Sequence, residues 1–74
     1  MRFIKQYKKY TKRVFWAASV TQKGMMAKTI IYSIWPRGGG FDLFIGVFTE
    51  SKRKICHVRK FESAKQIANL IEKG

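Results

Sequence analysis

A chain of 74 residues, 46 % hydrophobic and 15 % aromatic, is long enough for one small domain and too apolar to be disordered. Sixteen Lys and Arg against four Asp and Glu leave a formal net charge of +12, which draws polyanions and keeps acidic partners in view. Its single cysteine, Cys56, excludes an internal disulfide framework, and no run approaches the ~20 apolar residues of a membrane span.

The first segment, residues 1–12, places Phe3, Ile4 and Tyr7 at helical spacing, with Arg2, Lys5, Lys8, Lys9 and Lys12 around the remaining turn. Two forms stay open: a basic amphipathic helix, or an extended arm, since helices this short are marginal alone. Lys and Gln interrupt its apolar residues too often for a secretory h-region. With a lone thiol, a reducing cytoplasm is the expected location.

From Arg13 the period changes to two. "VFWAASVT" is followed by the polar break Gln22-Lys23-Gly24 and then by "AKTIIYSIW", which predicts a hairpin. Pro36, with no N–H for a ladder, should end the second strand; Arg37 to Gly40 turn the chain, and "FDLFIGVF" makes a third. "ESKRK" turns it again into "ICHVRKF", so the sheet occupies residues 13–61. Ser63 and Gln66 have capping-box spacing, and Ala64, Ile67, Ala68 and Ile71 share one face of a helix over residues 63–73. The predicted fold is α+β: a four-stranded antiparallel meander packed by a carboxy-terminal helix, one domain over residues 1–74. A core this small leaves room for a homodimer.

Alternation sorts the sheet into two faces. Val14, Trp16, Ala18 and Val20 join Ile30, Tyr32 and Ile34, and Phe41, Leu43, Ile45 and Val47, in a bulky set suited to the helix. The opposite set mixes Phe15, Trp35, Phe44 and Phe48 with Ala, Ser, Thr, Gly and Asp42. Spaced rings bordered by cations suit single-stranded nucleic acid, because any base stacks on a ring while Lys and Arg meet phosphates. Ordinary core, covered by the amino-terminal segment or a partner, is the competing account of the same rings.

Three glycines at 38–40 suggest a phosphate cradle, but they lead into a strand and no Gly-Lys-Ser or Gly-Lys-Thr follows. They read instead as a flexible hairpin loop, with Arg37 beside it as a phosphate contact. Lys52, Arg53 and Lys54 form a second basic site, Lys23 and Lys28 a third, and Arg59 and Lys60 a further addition. In a meander, Lys23 and Lys52 to Lys54 should lie at one end of the sheet and Arg37 at the other. Solvated surface charge is the bland account of all of them.

Cys56 and His57, as strand neighbours, point to opposite faces and cannot form a thiol–imidazole dyad. One Cys, one His and four dispersed carboxylates do not build a metal site. No catalytic residue, metal or cofactor is predicted. In outline, the meander with its carboxy-terminal helix is similar to the transcriptional-coactivator type of single-strand binder. The ending "KFESAKQIANLIE" resembles the end of integrase amino-terminal domains, which lay a three-stranded sheet into the major groove. A fourth strand and the lack of a charged sheet face set the chain apart from the integrases, and no residue is carried over from either family. The expected function is nucleic-acid binding, to DNA or RNA, through phosphates and aromatic rings. The alternatives are a phage- or mobile-element-type inhibitor docking on an acidic protein, and a ribosome-associated protein.

Overall fold

Runs of β-branched and aromatic residues carry the chain back and forth before one amphipathic segment closes it. The computed structural model describes residues 1–22, 24, 28–47 and 52–73. Its elements are β1 (Ile4–Lys8), β2 (Arg13–Gln22), β3 (Lys28–Arg37), β4 (Gly40–Val47), β5 (Arg53–Val58) and α1 (Phe61–Lys73). The strands form one sheet in the order β1-β2-β3-β4-β5, with every neighbouring pair antiparallel.

The α+β meander with a carboxy-terminal helix is the predicted fold, with five strands instead of four. The extra one comes from the segment in which a helix was expected: Ile4 pairs with Ala17 and Lys8 with Arg13. All five β1 residues are exposed, so packing does not decide their conformation. A short helix cannot sustain itself, whereas the free edge of β2 offers ladder partners to the backbone. Lys12, at φ 52°, takes the left-handed conformation in the connecting turn. The segment therefore extends the sheet and does not lie across the mixed face; Phe3, just before β1, packs against the core.

Pro36 does not end β3, which runs on to Arg37 and pairs with β4 as far as Arg37↔Gly40. Its pairing with β2 stops at Trp16↔Ile34, so the proline lies beyond the ladder on that side and its missing N–H breaks nothing there. Gly38 and Gly39, at φ 54° and 77°, are the central residues of a two-residue hairpin, which is tight and not a loose loop. Gly40 is required for a different reason. A Cβ there would stand 2.8 Å from His57 Nε2 and 2.5 Å from the Val58 carbonyl.

α1 covers the bulky face, as alternation predicts. Tyr32, Ile34 and Leu43 meet Ala64 and Ala68, with Trp16, Phe41, Ile45, Cys56, Phe61 and Ile67 packed around them. Ile34 and Leu43 are fully buried and contribute roughly 1.5–3 kcal/mol each. Two fully buried alanines on the helix let its axis approach the sheet closely. Val14, beyond the last β2–β3 pair, instead borders the opposite face. The helix starts at Phe61, two residues before the predicted Ser63: the Ala64 N–H donates to the Lys60 carbonyl at 3.4 Å. Phe61 packs 4.7 Å from Trp16 and 5.7 Å from Phe41, and that burial draws the first turn into place ahead of the serine. Near the other end, the Tyr32 hydroxyl donates to Glu72 Oε2 at 3.0 Å.

Candidate functional site

The face away from α1 is built by register. One row across the sheet contains Trp35, Asp42 and His57. The next contains Ala17, Ser33, Phe44 and Lys54. Lys54 and His57 are three positions apart and would point to opposite faces of a regular strand. An irregularity in pairing between Leu43 and Phe44 resolves this: Leu43 pairs with Cys56 and Phe44 with Lys54, leaving Ile55 as the extra residue. Ile55 and Cys56 both pack toward the core, while Lys54 and His57 both reach the open face.

Asp42 is the residue they meet. It is only 2 % exposed, and its carboxylate lies 2.5 Å from His57 Nδ1, 3.4 Å from Lys54 Nζ and 3.5 Å from an Arg37 guanidinium nitrogen. An ionised carboxylate only accepts, so His57 donates from Nδ1. Burial alone would raise the Asp42 carboxyl, but the His57 hydrogen bond and the Lys54 charge outweigh it and hold the group below the ordinary carboxylate range. Asp42 thereby fixes three donors from two strands, Arg37 at the end of β3 and Lys54 and His57 on β5.

Beside this cluster lies a groove of about 480 Å³. Among the described residues, Lys8, Arg13, Arg37 and Lys52 supply its cations, Trp35, Pro36 and Phe44 its apolar wall, and Asp42 its one carboxylate. Phe15 stacks on Trp35 with centroids 4.0 Å apart and planes 8° from parallel. A ring that close leaves no room for an ammonium on the same side, so Lys52 Nζ, 3.8 Å from the Trp35 centroid, covers the other side. Lys52 is also 4.9 Å from Phe44, and Lys8 Nζ is 5.3 Å from Trp35. Burial, and then the charges of Lys8 and Arg13, push the Lys52 ammonium below its ordinary range. Trp35 Nε1 is the one buried side-chain polar atom without a hydrogen-bond partner among the described residues.

Of the predicted site residues, Arg37, Lys52, Lys54, Phe15, Trp35 and Phe44 converge on this face. Arg53 is exposed at the start of β5, opposite Ile45, and does not line the groove. Arg59 and Lys60 are exposed in the bend before α1, and Lys28 opens β3 opposite Gln22. Lys23 and Phe48 lie outside the described residues. The expected separation of Arg37 from Lys52 to Lys54 does not hold for their side chains: Arg37 and Lys54 share Asp42, and Arg37 and Lys52 share the groove. Backbone turns alternate between ends, but long cationic side chains reach several ångströms inward from each. The aromatic residues are neither an open platform nor sealed core. Phe15, Trp35 and Phe44 are half-buried, and the Lys52 ammonium covers the outer side of Trp35.

Lys8, Arg13, Asp42 and His57 were not legible in the sequence as members of one site. The available signal was Asp42, a lone carboxylate within the apolar run "FDLFIGVF". Cys56 and His57 do face opposite sides, and among the described residues no three His, Cys, Asp or Glu side chains group as a metal site. No described helix is long and apolar enough to cross a membrane. No family model, curated protein or solved structure matches the chain.

Proposed function

We propose that this protein is a cytoplasmic nucleic-acid binder that holds the phosphate backbone of DNA or RNA against the helix-free face of its sheet. The observation behind this is the groove, where Lys8, Arg13, Arg37 and Lys52 gather around a single carboxylate already shared by Arg37, Lys54 and His57. Cations held this close repel one another, and an arriving polyanion relieves that repulsion. Phosphates spaced along a strand can meet several of them at once and release counterions as they do. The protein acts by binding, with no reaction and no cofactor.

Salt dependence tests the proposal. With four to six phosphates neutralised, log affinity should fall against log salt concentration with a slope of about −3 to −5. Replacing Lys8, Arg13 and Lys52 together by Gln should weaken binding to every sequence and make the slope shallower by about one per lost contact. Arg59 and Lys60, replaced in the same way, are the control and should have a smaller effect. Failure to bind any nucleic acid at low salt, or a flat salt dependence, would overturn the proposal and favour an acidic protein as the partner.

A further inference from the structure

We infer that the groove over Trp35 accepts one unstacked base together with its neighbouring phosphate, so that the protein selects single-stranded over duplex nucleic acid. The inference rests on the nucleic-acid proposal above and assigns a chemistry to its central site.

Size comes first. A volume of about 480 Å³ falls within the range of sites that enclose small organic ligands, and exceeds what one phosphate group needs. Composition follows: a backbone-only site needs cations, yet this one has Trp35 and Phe44 in its wall. Phe15, stacked behind Trp35, fixes the plane of the indole and leaves one side for a ligand. Among the described residues, that side is met by the tip of the flexible Lys52, 3.8 Å from the centroid, with Lys8 Nζ 5.3 Å from the same ring.

Lys52 links the two halves of the ligand. Its ammonium is partly desolvated and repelled by Lys8 and Arg13, so its position over the ring is a poor resting place for a charge. A phosphate at the groove mouth offers the ammonium a full counter-charge and draws it away from the ring. The vacated side of Trp35 is then free for the adjacent base. Duplex bases remain stacked on one another and cannot follow, so a duplex engages only the cations.

The test compares four probes on the wild-type protein at one salt concentration: oligothymidylate, an abasic strand of the same length, a duplex of that length, and heparin. Oligothymidylate should bind about 5- to 150-fold tighter than the abasic strand, the range that one stacked base supplies. Trp35→Leu should bring oligothymidylate to the abasic level while leaving abasic affinity within about twofold, because phosphate contacts do not involve the ring. Lys52→Met should weaken both strands and narrow their ratio, because a phosphate does not draw a neutral side chain off the ring. In a Trp16→Phe variant, where Trp35 is the sole tryptophan, oligothymidylate should quench the emission. The wild-type comparison and the quenching remain decisive if Trp35→Leu fails to fold.

Equal affinity for oligothymidylate and abasic strand, with salt dependence intact, overturns the base site and leaves the phosphate-binding proposal standing. Preference for the duplex also overturns it. A Trp35→Leu protein that keeps the preference removes recognition from the ring and overturns the assignment; a Lys52→Met protein with an unchanged ratio overturns the linkage through Lys52. Binding to heparin alone overturns both readings.

Discussion

Asp42 has the most demanding environment of any charged side chain in the site. It is buried to 2 % exposure and survives as an anion because His57, Lys54 and Arg37 all approach it. Removing one member of a fully buried ion pair typically costs about 3–5 kcal/mol. Here the side chains left behind would be those of Arg37, Lys54 and His57, 72 %, 46 % and 41 % exposed, which can turn back to water. Asp42→Asn should therefore cost only about 1–3 kcal/mol at neutral pH, the price of a lost charged hydrogen-bond centre. Because the native carboxyl titrates below its ordinary value of 3.8, its contribution is present above that pH and disappears as pH falls through the lower native value. Urea denaturation should show a wild-type advantage at pH 7 that shrinks below pH 3.8. Polyanion affinity should not fall, since the substitution removes the only carboxylate that lines the groove among the described residues. An Asp42→Asn protein that is equally stable but binds poorly would mean that the carboxylate positions ligand contacts and not the fold.

The helix and sheet are joined by an analogous but oppositely signed device. Tyr32, on β3, is 1 % exposed and donates its hydroxyl proton to Glu72 on α1. Burial first, and then the hydrogen bond and charge of Glu72, push the phenol up to about 12 from 10.0. A raised native value makes this link fully effective below pH 10 and lost as pH rises toward 12. Tyr32→Phe should cost about 0.5–1.5 kcal/mol at pH 8, and the difference between the two proteins should vanish near pH 12. Parallel alkaline denaturation curves for both would rule out a role for the link. Tyr32 and the face of α1 were legible in the sequence because period-two alternation and helical spacing are local patterns, and burial followed both. β1 was not, since its conformation is decided by a free edge on β2 and not by its own residues. The irregularity on β5 was equally hidden: nothing in "RKICHV" announces the extra residue, yet it is what turns Lys54 and His57 to the same side. Thus Trp35 and Lys52 could be named singly, while their contact depended on pairings across three strands.

Charge governs the protein as a body. A formal net charge of +12 on 74 residues means that folding concentrates like charges that the unfolded chain holds farther apart. The groove is the local extreme of this: burial first, and then the charges of Lys8 and Arg13, depress the Lys52 ammonium. Added salt shortens the Debye length from ~30 Å at 0.01 M to about 8 Å at 0.15 M, and should relieve the repulsion in the folded state more than in the expanded one. Thermal stability should therefore rise as sodium chloride increases over that range. A polyanion that binds only the folded protein adds stability by mass action, growing as RT ln(1 + [L]/Kd). Heparin should accordingly raise Tm at low salt and lose this effect at high salt, where its affinity for the cationic face collapses. Two components can be separated with the Lys8, Arg13 and Lys52 triple Gln variant. It should begin with a higher Tm than wild type at low salt, because three mutually repelling charges are gone, and gain less from heparin. A variant less stable than wild type at low salt would show that the Lys8 and Lys52 contacts with Trp35 outweigh their repulsion, and that the groove is held together by its rings instead of kept under tension by its charges.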